Sequence, residues 1–171
     1  VSKPIVNLAD VPLRTATKGT KFSAQLGRIG SLIGAQQLGA QLHIVPPGKA
    51  AFPRHAHHRN EEMMIILSGE GEYQRGDETW PIRAGDVIAA PASTGEQAHQ
   101  TRNTGSAPLH YLAISTRHDP EITEYPDSGK FSVASQIPPD KGMAGARVRF
   151  TWHGDAPSID YWDGEDIGET E

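Results

Sequence analysis

The sequence predicts an all-β domain, an antiparallel barrel or sandwich, and three observations lead there. Turn formers are abundant, with 18 Gly and 13 Pro among 171 residues, so few stretches can hold a helix beyond two or three turns. Between the turn signals lie short apolar or alternating runs. Those signals recur roughly every 8–12 residues, the rhythm of antiparallel strands joined by tight turns.

Taken in order, residues 5–13 read as an arm with one short extended piece, closed by polar residues through Thr20. Strands are expected at 22–26 and 38–45, the second stopped by Pro46-Pro47-Gly48. The run 62–67 ends at Ser68-Gly69, and 71–74 returns from it to turn at Gly76-Asp77. Residues 79–82 lead into Ala84-Gly85-Asp86, 87–90 stop at Pro91, and 99–102 and 109–115 complete the series. Gly69 and Gly85 are read as turn residues that need a positive φ.

No internal repeat is visible. The expected organisation is an N-terminal arm at 1–20, a β domain at 21–117 and a C-terminal extension at 118–171. The extension is rich in Asp, Glu, Pro and Gly, yet it keeps Phe131, Val133, Val148, Phe150, Trp152, Tyr161 and Trp162. A disordered tail rarely carries so many large apolar groups. It is therefore expected to pack on the domain or on a partner, with a strand at 147–152. Trp80, Trp152 and Trp162 are expected as packing anchors.

Composition narrows the function. The net charge is −5 with no long basic cluster, which argues against nucleic-acid and anionic-membrane partners. The longest aliphatic run, 63–67, is far short of the ~20 residues of a membrane-spanning helix. No leader pattern opens the chain, so a cytoplasmic protein is expected. There is no cysteine, which removes disulfides, zinc-thiolate sites, iron–sulfur clusters and thiol nucleophiles.

The most informative segment is Arg54-His55-Ala56-His57-His58-Arg59-Asn60-Glu61-Glu62. Residues two apart on an extended chain share a face, so His55 and His57 can meet at one point while His58 cannot. The same parity favours Glu62 over Glu61. Imidazole and carboxylate donors suit Mn, Fe, Co, Ni, Cu or Zn rather than a calcium cage.

Here the sequence resembles the cupin superfamily, in particular its compact single-domain bacterial members. The first motif of that family is matched by Gly48, His55, His57, Glu62 and Gly69, and the second by Gly85, Pro91, Gly95, His99 and Asn103. His55 lies one residue further from Gly48 than the usual pattern, and the segment from Pro91 to His99 is longer; both read as loop insertions beside the ligands. The resemblance implies a jelly-roll barrel holding one divalent transition metal through His55, His57, Glu62 and His99. Asn103 is read as a turn residue before Thr104-Gly105.

Strand parity from Glu62 sends Met64 and Ile66 inward and Met63, Ile65 and Leu67 outward. An outer face so apolar should be covered by the extension or by a second subunit, and a homodimer is expected. Polar groups expected near the metal are Gln41, His43, Arg54, Tyr73, Gln97, Thr101, His110 and Tyr111. Arg54, Gln41 and Gln97 are the candidate substrate contacts, and Tyr73, His43 and Tyr111 the candidate acid–base groups. Two functions fit: a metal-dependent enzyme on a small polar or anionic substrate, of sugar or organic-acid type (isomerase, dioxygenase or lyase), or a small-molecule binder whose metal only orients its ligand.

Overall fold

Alternation along residues 62–68 sets the frame of the fold. In a computed structural model, which describes residues 3–138 and 140–166, Met64 and Ile66 are 4% and 1% exposed, whereas Met63 and Leu67 are 46% and 39% exposed. The expected parity holds, and Glu62 shares the inner face.

Thirteen strands are present among the described residues: β1 (Arg14–Lys18), β2 (Phe22–Arg28), β3 (Leu38–Val45), β4 (Ala56–His57), β5 (Glu62–Ser68), β6 (Glu70–Arg75), β7 (Glu78–Arg83), β8 (Val87–Ala90), β9 (His99–Arg102), β10 (Leu109–Thr116), β11 (Glu121–Tyr125), β12 (Lys130–Ser135) and β13 (Val148–His153). No helix among them is long and apolar enough to cross a membrane. Six strands form one antiparallel sheet in the order β1-β2-β3-β10-β5-β8, and three form another, β7-β6-β9. Their inner faces share one core built from Ala24, Leu26, Val45, Met64, Ile66, Tyr73, Ile82, Ala90, Leu109 and Tyr111. This is a jelly roll, all-β as expected, although its sheets do not close into one hydrogen-bonded ring. Gly69 and Gly85 take φ of +82° and +95° at their turns, where a side chain would be strained.

Two segments differ from expectation. The arm's strand is not within 5–13 but in the polar stretch Arg14–Lys18, where pairing with β2 from Arg14↔Leu26 to Lys18↔Phe22 supplies what side chains do not. The extension carries three strands rather than one. With β4 they form a third sheet, β13-β12-β11-β4, in which Thr123 pairs with His57 and Glu124 with Ala56.

The outer face of the six-stranded sheet is half covered. Val11, Ile29 and Leu42 are buried there, with Val6, Ile33, Ala40, Ile44 and Leu112 packed against them. Met63, Leu67 and Val87 stay exposed, so the extension does not cover them. The tryptophans are not buried anchors: Trp80, Trp152 and Trp162 are all exposed. Trp80 stacks on Tyr73 and Trp152 on Phe131, at 6.3 and 6.2 Å between ring centres.

Candidate metal centre

Three chain segments bring the motif residues together. His55, just before β4, exchanges backbone hydrogen bonds with His99 at the start of β9, and β5 opens with Glu62. Ligand atoms of His55, Glu62 and His99 all lie within 4.8 Å of one another. His99 Nε2 is 3.2 Å from Glu62 Oε2, and His57 Nε2 approaches the other oxygen, Oε1, at 3.7 Å. Ligand atoms sharing one ion through bonds of ~2.1 Å sit at most about 4.2 Å apart, a separation that His55, Glu62 and His99 approach, whereas His57 lies outside that group and meets Glu62 alone. The donor set fits a divalent transition metal.

Hydrogen bonds on the far side of two rings set their protons. His55 Nδ1 lies 2.8 Å from the Pro53 carbonyl, which can only accept, so this nitrogen carries the proton and Nε2 keeps the lone pair. His57 Nδ1 lies 3.2 Å from Oε1 of Glu121, the first residue of β11. A carboxylate behind a ligand imidazole fixes its tautomer and its ring orientation.

The charges are strongly coupled. Burial, followed by the nearby His57 and His99, pushes the His55 imidazole down to about 4. Burial alone would raise Glu62, but the His99 hydrogen bond and the three surrounding imidazoles hold it down at about 2. For His57, burial works downward and is outweighed by the Glu121 hydrogen bond and the charges of Glu62 and Glu121, so its pKa is raised. The result is an anionic carboxylate among imidazoles, a group that a cation can join.

Around this cluster lie the candidate acid–base groups. His43 and Tyr111 pair across β3 and β10, with ring centres 4.5 Å apart. Burial drives His43 down to about 4, partly opposed by Glu62. Burial lifts Tyr73 to about 12, against Arg75 and with Glu62 adding to the rise, and it raises Tyr111 as well. Both phenols are therefore donors at neutral pH. The Nδ1 of His43 and the hydroxyl of Tyr73 are buried without a hydrogen-bond partner among the described residues, as is Thr123 Oγ1. Buried polar atoms normally find partners, and the ring of Tyr73 stacks 6.0 Å from His99.

Other expected residues are placed differently. Arg54 is engaged by Asp127, with Nε and Nη2 2.9 and 2.7 Å from one oxygen. Gln41 is half-buried on the same face of β3 as His43, whereas Gln97 is exposed. Thr101 donates to the Met64 sulfur at 3.5 Å. His110 is not near the cluster: it lines an outer groove with Leu8, Leu42 and Leu67. Asn103 is a buried turn residue, donating to the carbonyls of Val45 and Ala107 and accepting from the Gly105 N–H. His58 faces away and meets Glu124 at 3.1 Å.

Glu121, Asn60, Glu124 and Tyr125 take part around the site without having been anticipated. Glu124 Oε2 accepts from the Gly95 N–H at 2.7 Å, and a Cβ at residue 95 would collide with that carboxylate. The ring of Tyr125 stacks on His55 at 6.1 Å. The available signal was the period-two pattern Glu121, Thr123, Tyr125, but an acidic strand residue ordinarily reads as solvent-facing.

Comparison with known proteins bears on the fold that carries this cluster. Residues 41–115 match the family model described as a cupin domain. An uncharacterized protein of Methanocaldococcus jannaschii is 34% identical over 85 residues, 47% of this chain and 65% of that protein. The oxalate-binding protein of Thermotoga maritima is 34% identical over 70 residues, 41% of this chain and 54% of that one. The chain thus spans less than two thirds of the length of these curated relatives. Among solved structures, a sugar phosphate isomerase from a cupin superfamily of Silicibacter pomeroyi superposes with a TM-score of 0.73 at 22% identity, covering 92% of this chain and 98% of the other. That likeness establishes the fold, extension included.

Proposed function

Because residues 41–115 form a cupin domain, we propose that this chain holds one divalent transition metal through His55, His57, Glu62 and His99 and is a metal-dependent enzyme acting on a small, oxygen-rich, polar or anionic substrate. The observation that carries the reading is the convergence of His55, Glu62 and His99 ligand atoms within 4.8 Å, with His57 Nε2 3.7 Å from the second Glu62 oxygen. Four protein donors leave coordination positions open for substrate oxygens. When bound, the ion would act there as a Lewis acid.

The chain's own residues supply the rest. His43, neutral at pH 7, can take or give a proton at Nδ1, and Tyr73 can donate one from its hydroxyl. Their unpartnered atoms support a role in meeting a ligand. Sugar phosphates and small organic acids both match this chemistry, and isomerase, dioxygenase and lyase reactions remain the classes to assay. A second reading, a binder without turnover, is favoured by the 34% identity to an oxalate-binding protein. We also propose a homodimer, supported by the exposed apolar side chains of β5 and β8.

The test is metal analysis by mass spectrometry on wild type beside a His57→Ala, His99→Ala double variant, followed by turnover assays on sugar phosphates and dicarboxylates. Near-stoichiometric metal in the wild type, lost in the variant, together with turnover, is the expected result. Metal with tight ligand binding and no turnover would select the binder. A wild type that takes up no metal on reconstitution would overturn the proposal.

A further inference from the structure

We infer that Glu121, clamped by Asn60, is a positioning residue that fixes His57 as the Nδ1–H tautomer and so aims Nε2 at the metal centre. The inference rests on the proposed metal reading and extends it into the C-terminal extension. Glu121 is only 2% exposed, and a carboxylate is not carried so deep without partners. Each oxygen has one: Oε1 faces His57 Nδ1 at 3.2 Å, and Oε2 accepts from Asn60 Nδ2.

Asn60 is itself over-determined. Its Oδ1 accepts from the His118 N–H at 2.6 Å and from the Thr116 hydroxyl at 3.1 Å, while Nδ2 also reaches the His118 carbonyl at 3.2 Å. Thr116 in turn accepts from the Glu61 N–H at 3.0 Å. These contacts leave the Asn60 amide one orientation, with its N–H groups toward Glu121. Glu121 can therefore only accept from both sides, and His57 must present its proton to it. The remaining nitrogen, Nε2, is the one that approaches Glu62 at 3.7 Å.

A glutamine at 121 breaks this polarity. Its amide nitrogen would face either the Asn60 N–H groups or His57 Nδ1, and the second choice drives the His57 proton onto Nε2, where it blocks a metal. An Asn60→Asp, Glu121→Gln double variant restores the sense of the chain. The carboxylate then placed at position 60 accepts from the amide at 121 and leaves the amide oxygen for His57.

Two measurements decide. Long-range ¹H–¹⁵N correlation spectra of metal-free protein at a pH of about 8.5 report the His57 tautomer. Competition between the protein and a chelator for Co²⁺ alone reports affinity. The expected results are Nδ1–H in the wild type, a shift toward Nε2–H in Glu121→Gln with Co²⁺ bound about 10–100-fold more weakly, and about tenfold recovery in the double variant. A merely structural role for Glu121 would lower thermal stability without moving the tautomer, and the double variant would not recover. An Nε2–H tautomer in the wild type, or Co²⁺ affinity in Glu121→Gln within about threefold of wild type, overturns the inference. A wild type that binds no Co²⁺ defeats the metal reading instead, and the wild-type tautomer still judges Glu121. That measurement also stands if a variant fails to fold.

Discussion

His55 and His99 hydrogen-bond to each other's backbone in both directions, N–H to carbonyl at 3.0 and 2.8 Å. This bridge joins the edge of the β7-β6-β9 sheet to β4, and it holds two imidazoles with ring centres 4.8 Å apart. Backbone pairing of this kind needs no ion. The first prediction is that His99→Ala keeps the far-UV circular dichroism of the wild type while losing metal by about 100-fold or more, beyond the 10–100-fold cost of losing a partner outside the ligand set. Dialysis against metal followed by elemental analysis checks it. Retained stoichiometric metal would remove His99 from the site.

The second prediction concerns acid. His43 and His55 are held near 4, well below the ordinary 6.5 of an imidazole. Between those values the unfolded chain binds protons that the folded chain refuses. Their contribution is therefore complete above pH 6.5 and is lost as pH falls toward 4. Glu62, depressed to about 2 from 4.5, changes its contribution only below pH 4.5, and His57, shifted upward, changes only above 6.5. Thermal melts in chelator should give a lower Tm at pH 5 than at pH 6.5, and His43→Phe should shrink the difference. Equal midpoints would contradict the buried, neutral state of both rings.

Tyr73→Phe tests stability against function. The hydroxyl is buried without a partner, so removing it should stabilise the free protein by about 1 kcal/mol, raising Tm by roughly 2–4 °C. The same change should weaken ligand binding or turnover with metal content unchanged. A Tm that falls would mean the hydroxyl already has a partner in the free protein.

The outer face of β5 makes the fourth prediction. Met63 and Leu67 sit beside Val87, whose partner in the register is Ile65, and Val87 is 63% exposed. Sedimentation velocity should show a wild-type dimer and a monomeric Met63→Glu, Val87→Glu variant with an unchanged fold. A wild type that sediments as a monomer at high concentration would rule this face out as the interface.

How much of this was legible in the residues depends on where each pattern sits. β3, β8 and β9 were readable to the residue, because Pro46-Pro47-Gly48 stops the first, Pro91 the second and Asn103-Thr104-Gly105 the third. The cluster of His55, Glu62 and His99 followed from period-two parity together with family spacing. Glu121 was hidden for a physical reason: in β11 the polar residues Glu121 and Thr123 face inward while Ile122 does not, which reverses the pattern that separates core from surface. Arg54 was misleading in a different way, since its partner Asp127 is remote in sequence and no local signal pairs them. Buried polar chains become visible only when both ends are in view.

His57 and Glu121 are 64 residues apart in sequence, and only the first lies inside the matched family segment. A shortened chain ending after β10 would carry every signature by which such domains are detected. It would nevertheless lack the carboxylate against which His57 leans, the ring that stacks on His55 and the oxygen that caps the Gly95 amide. Completeness of a motif and completeness of the contacts that hold its side chains in place are different properties, and in this protein the second is supplied only by β11.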